Sequence, residues 1–143
     1  MIETKSAGGI VLNRNRVLLV RTDRVRLSFP KGRVEGEELE LHAAKREIEE
    51  ETGVPEPALR PIESWGIYQR FRTSQDGTMD DRAEFKDIAM FRFDTVWETL
   101  DPQDSKHEAR RVRYDRVEDY LSHPRDREFY RSIRSRVRAY TPG

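Results

Sequence analysis

The chain contains no cysteine, which removes disulfides, thiolate zinc sites and thiol catalysis and fits a reducing compartment. It also lacks net charge: 27 Lys and Arg stand against 27 Asp and Glu, so nothing draws the molecule as a whole to nucleic acid or to an anionic membrane. No apolar run approaches the length of a membrane span, and the opening "MIETKSAGGIVLN" lacks the basic start and long apolar stretch of an export signal. These absences lead us to expect a soluble cytoplasmic protein. Its 143 residues suffice for one core, so a single domain over 1–143 is expected.

With no net charge, electrostatic function has to come from segregation of charge, and the sequence is segregated. Residues 34–57 are dominated by Glu, whereas 105–138 carry ten arginines, among them Arg110, Arg125, Arg131 and Arg134. "SAGGIVLN" and "RVLLVRT" are short aliphatic runs separated by "RNR", which predicts two strands and a tight turn. Gly8 and Gly9 within the first run suggest a bulge or a close backbone approach. "VRLSFPKG" predicts a loop, because Pro30 cannot donate to a ladder. Residues 39–52 are rich in Glu, Leu, Ala and Lys and stop at Gly53 with Pro55 beyond, which predicts a helix with a defined end. "ESWGIYQRFRT" and "AEFKDIAMFRFDTVW" predict a hairpin across the Asp-Gly of "SQDGTMDDR", and "ARRVRYD" a further short strand. "RVEDYL" reads as a helical turn, and the spacing of Phe129, Ile133 and Val137 predicts a last amphipathic helix. Strands, helix, strands and helices joined in this order describe an α+β sandwich.

The acidic helix raises a physical problem. Glu47, Glu50 and Glu51 fall at i, i+3 and i+4 and project from one face over a single turn, next to an apolar stripe of Leu41, Ala44 and Ile48. Two carboxylates ~6 Å apart repel by roughly 3 kcal/mol at an effective dielectric of about 20, and all three oppose the polarity of the helix end. Arg46 can hydrogen-bond one of them, but one guanidinium does not neutralise three charges. Hard divalent cations with oxygen ligands, Mg²⁺ or Mn²⁺, complete such a set. Glu49, four residues after Lys45, is expected to form a surface ion pair instead.

Gly32, Glu38, Arg46, Glu47, Ile48, Glu50, Glu51, Gly53 and Val54 fit the pattern G-x(5)-E-x(7)-R-E-U-x-E-E-x-G-U, with U aliphatic. This resembles the Nudix box. The resemblance implies a Nudix fold, a mixed β-sheet between helices, and metal-dependent hydrolysis of a nucleoside diphosphate linked to another group. It implies that Glu47, Glu50 and Glu51 bind metal with the Gly32 carbonyl as a further ligand, and that Glu38 and Arg46 orient those ligands. A further acid outside the box often serves in such families; Glu108 of "KHEARRVRY" is the first candidate and Glu84 the second. Homodimers are common among such enzymes.

"FPKG", running into the box, resembles the Nudix branch that hydrolyses diadenosine polyphosphates, with diphosphoinositol polyphosphates and nucleoside triphosphates as neighbouring substrates. Lys31 is then a phosphate contact, with Arg21, Arg24 and Arg26 extending the cationic surface. Tyr68, Phe71 and Tyr114 are candidates to stack on a base, though aromatics on strands are more often core. His42, His107 and His123 show no ligand spacing. The arginines of the last helix read as a solvated face, partnered by Asp126 and Glu128, rather than as an RNA surface. A function of another class, a Nudix-like module that senses a nucleotide without cleaving it, has no chemical need for three crowded carboxylates.

Overall fold

The structure, a computed structural model, describes residues 1–22, 26–74 and 79–140. Seven strands form one mixed sheet: β1 (Ile2–Asn13), β2 (Arg16–Arg21), β3 (Leu27–Ser28), β4 (Lys31–Arg33), β5 (Arg60–Thr73), β6 (Asp80–Asp94) and β7 (Glu108–Arg113). The helices are α1 (Glu40–Thr52), the single turn α2 (Val117–Tyr120) and α3 (Pro124–Tyr140). Along the sheet the order is β3-β2-β1-β6-β5, with β4 paired to β1 and β7 to β2. The β1–β6 pairing is parallel, from Ile2 opposite Glu84 to Leu12 opposite Asp94; the other pairings are antiparallel.

The alternation of β1 and β2 divides the core in two. Ala7, Val11 and Leu18 face α1, where they meet Ala43, Ala44, Ile48 and Phe93. Ile10, Leu12, Val17 and Leu19 face the other way, toward Phe129, Tyr130, Ile133 and Val137 of α3. Both helices therefore lie on the sheet through the apolar stripes read from the sequence, and the α+β sandwich is the observed architecture. No helix of the described residues is long and apolar enough to cross a membrane.

Three local expectations are corrected. The segment before the box is no simple loop: Lys31–Arg33 pairs with Ser6–Gly8 as β4. That pairing needs the close approach expected at Gly8, where a Cβ would overlap the Pro30 carbonyl and the Lys31 side chain. Glu49 is no surface partner of Lys45; its carboxylate accepts the Glu56 N–H at 2.7 Å and fixes the turn after α1. Asp126 is not a surface partner of the α3 arginines either. It is fully buried, whereas Glu128 does pair with Arg125 at 3.1 Å.

The end of α1 is held by a loop from far along the chain. Gly53 takes a left-handed conformation, φ 83°, and its N–H donates to the Glu49 carbonyl at 2.8 Å. The Asp101 and Gln103 N–H groups donate to the Thr52 and Glu50 carbonyls, each at 2.9 Å, which satisfies acceptors that a helix end leaves open. A Cβ on Gly53 would run into the Asp101 backbone. Gly53→Ala is expected to cost about 2–4 kcal/mol, from left-handed strain plus the loss of this docking; an unchanged urea midpoint would refute it.

Candidate active site

One cavity of about 590 Å³ is walled by β4, the end of α1, β5, β6 and the start of α3. Its volume suits a nucleotide-sized ligand. Gly32 and Glu51 of the box line it, together with Lys31 and Arg26. The Lys31 N–H donates to the Glu51 carboxylate at 2.8 Å and ties strand to helix at this point.

Arg46 organises the rest of the acidic face. Its Nε and Nη2 grip the two oxygens of Glu38, both at 2.9 Å, and Nη2 also donates to the Arg33 carbonyl at 3.0 Å. Its Nη1 reaches Glu47 at 2.9 Å and Glu50 at 3.4 Å. The bidentate hydrogen bond from Arg46 holds the Glu38 carboxyl down to about 2. Glu47 lies against Gly32, where any side chain would overlap its carboxylate.

Burial acts in the opposite direction on Glu47 and Glu51. It pushes the Glu47 carboxyl upward, aided by Glu50, and pushes Glu51 up to about 7. Lys31 is drawn down to about 7 by burial and then by Arg70. Among the described residues no three acidic or histidine side chains form a ready-made metal cage; Arg46 and the Lys31 N–H hold the carboxylates. Their chemistry suits a hard cation all the same: the donors are all oxygens, crowded and partly desolvated, and a divalent ion would relieve what pushes the Glu47 and Glu51 carboxyls up.

The remaining sequence candidates divide. Arg26 lines the cavity, whereas Arg21 does not and stands 3.9 Å from Glu108 across β2 and β7. Arg24 lies outside the described residues, as do residues 75–78 of the Asp-Gly loop. Glu108 is 55% exposed, lies 3.2 Å from Arg110 and is not on the cavity wall. Glu84 is buried, accepting the Thr4 hydroxyl at 2.6 Å and Arg33 at 3.2 Å, so it pins β1 and β4 to β6. None of the proposed stacking aromatics lines the cavity. Tyr68 is stacked on Phe129 with ring centroids 4.6 Å apart, and Phe71 packs edge-on against Phe85 beneath Arg82. Tyr114 begins a 3-10 turn just beyond β7 rather than lying on a strand, and its carbonyl accepts the Tyr130 hydroxyl. All three are held by neighbouring groups, which leaves them no free face in the cavity.

Sequence reasoning passed over Arg70, Arg72, Lys86, His123 and Asp126, all on the cavity wall. A period-two reading of the predicted hairpin carried the signal for three of them. Arg70 and Arg72 share a face of β5, and Lys86 stands opposite Arg70 on β6, so cations recur where a sheet would bury apolar groups.

Among solved structures, a NUDIX hydrolase from Nitrosomonas europaea is 20% identical at a TM-score of 0.70, with 94% of this chain and 90% of that one covered. The E. coli dihydroneopterin triphosphate pyrophosphohydrolase is 15% identical at 0.71, covering 92% and 95%. A C. elegans Ap4A hydrolase in a binary complex is 16% identical at 0.70, covering 96% and 99%. At these identities the likeness is one of fold. The sequence match is wider than the box: residues 3–135 match the NUDIX domain. With that match running from β1 into α3, the chain belongs to the NUDIX domain family and is a hydrolase of pyrophosphate bonds.

Proposed function

We propose that the protein is a Mg²⁺-dependent pyrophosphohydrolase of nucleotide polyphosphates, with diadenosine polyphosphates as the first substrate class. The observation that carries this reading is the 2.8 Å hydrogen bond from the Lys31 N–H to Glu51, which joins Lys31 of the Phe-Pro-Lys-Gly segment to the last glutamate of the box on the wall of one cavity. Likeness of fold to the C. elegans Ap4A hydrolase is consistent with it.

Glu47, Glu50, Glu51 and the Gly32 carbonyl would hold Mg²⁺ or Mn²⁺. Such an ion, when bound, neutralises phosphate oxygens and makes an attacking water more acidic. Arg46, through its contacts with Glu38, Glu47 and Glu50, keeps the glutamates in place. Lys31 and Arg26 draw the anionic chain toward Glu51, and a carboxylate of this set takes the water's proton as the anhydride opens. Glu108 keeps company with Arg21 and Arg110 outside the cavity, so Glu108→Gln is expected to retain turnover within about threefold. A fall beyond tenfold would return that acid to the chemistry.

A second reading, hydrolysis of diphosphoinositol polyphosphates or nucleoside triphosphates, is favoured by the five cations on the wall. These are Arg26, Lys31, Arg70, Arg72 and Lys86, and no Phe, Tyr or Trp stands among the described lining residues. Purified protein given diadenosine polyphosphates, nucleoside triphosphates, nucleotide sugars and inositol pyrophosphates, with Mg²⁺ or with EDTA, separates these readings by which substrate yields phosphate or nucleotide. Nucleotide binding without turnover of any of them would make the protein a sensing module instead.

A further inference from the structure

Strands β5 and β6 set two cations face to face on the cavity wall. Arg70 and Lys86 are cross-strand partners, and both line the cavity. Like charges directly opposite each other destabilise a sheet unless an opposite charge answers them. Asp126, fully buried, answers Arg70, accepting its Nη1 at 3.4 Å and the Tyr68 hydroxyl at 2.6 Å. Lys86 feels Glu84, but that carboxylate is already held by Thr4, Arg33 and Arg72. Arg72 is already committed, lying 3.6 Å from both Asp81 and Glu84.

Two donors remain. Arg70 is only 9% exposed, and its Nε is buried without a hydrogen-bond partner. No described carboxylate lies within ion-pair distance of Lys86, whose ammonium is pushed below its usual range by burial and then by Arg70. A buried guanidinium N–H without an acceptor is costly, and both residues stand on the wall of a cavity that an anionic acceptor can enter. Lys31 connects this wall to the box, since it lines the same cavity and its N–H donates to Glu51.

We propose that Arg70 and Lys86 form a second anion subsite that holds a phosphate group of the substrate outside the diphosphate to be cleaved. The preferred substrate then carries at least one phosphate beyond the scissile pair, which separates polyphosphates and multiply phosphorylated compounds from nucleotide sugars. This rests on the hydrolytic reading above. It asks for recognition by charge rather than by base stacking.

Lys86→Met is the chosen variant, because it removes a repelled cation and leaves Asp126 with both of its donors; a thermal melt checks the fold. Binding of inorganic tripolyphosphate, followed by calorimetry in metal-free buffer, is expected to weaken roughly tenfold or more, the usual worth of a charge-assisted contact. In Mg²⁺, the ratio of kcat/KM for a nucleoside tetraphosphate to that for a nucleotide sugar is expected to fall by a similar factor. Unchanged tripolyphosphate affinity overturns the subsite, as does an equal loss on both substrates. If affinity falls while no substrate is hydrolysed, the subsite stands and the hydrolytic reading fails. If hydrolysis proceeds at an unaltered ratio, the reading stands and the subsite fails.

Discussion

Glu51→Gln is expected to lower turnover by roughly a thousandfold or more, equivalent to about 4 kcal/mol of transition-state stabilisation. Gln keeps the shape and can still accept the Lys31 N–H that Glu51 accepts at 2.8 Å, so strand and helix stay joined while the charge is lost. The same substitution is expected to raise the melting temperature of the metal-free protein, because ionising Glu51 in the folded state is opposed by burial. The pH dependence carries the sign. Glu51 is raised above its ordinary value, so its contribution to stability falls as pH climbs from about 4.5 through about 7. Lys31 is lowered, so its contribution recovers as pH climbs from about 7 toward 10.5. Together they put a minimum of metal-free stability near neutral pH, shallower in Glu51→Gln and filled in by Mg²⁺. A variant that turned over normally, or a profile unmoved by the substitution, would remove Glu51 from the centre of the site.

Gly32→Ala is expected to separate chemistry from folding. An added methyl would occupy the place of the Glu47 carboxylate, the far end of a flexible side chain that can swing aside. The fold should therefore lose no more than about 1 kcal/mol, whereas displacing Glu47 from its seat should cost roughly a hundredfold in turnover. The expected pattern is a nearly unchanged urea midpoint, with kcat reduced and Mg²⁺ required at higher concentration. Full activity in this variant would mean that the contact between Gly32 and Glu47 is incidental. Gly53→Ala should give the reverse pattern, since backbone rather than a side-chain tip stands in the way there.

The box was legible because its constraints are local. A helix of Glu, Ala and Leu ending in Gly-Val-Pro fixes its own boundaries, and i, i+3, i+4 spacing fixes which carboxylates share a face. The two strands on either side of Asp76 and Gly77 and the Phe129, Ile133 and Val137 stripe were legible for the same reason. What was missed depends on pairing between distant segments. Glu108 looked like a site residue from its place along the chain, yet the register of β7 on β2 sets it opposite Arg21. Asp126 looked like a helix-surface acid, and only the docking of α3 against β5 encloses it with Tyr68 and Arg70. Tyr68 had the composition of a stacking residue, but Phe129 already occupies its face.

The parallel pairing of β1 with β6 also sets an order of events. Residues 2–12 find their partners only at residues 84–94, so the central ladder closes a loop of nearly the whole sheet before it gains a hydrogen bond. During synthesis α1 would leave the ribosome with β1 and β2 to lean on but without Phe93, which completes its apolar seat. Long-range pairings of this kind put a domain at the slow end of folding rates. The crowded glutamates therefore spend the nascent stage on a helix that is still solvated, where their mutual repulsion is weak, and are brought together only when the sheet closes.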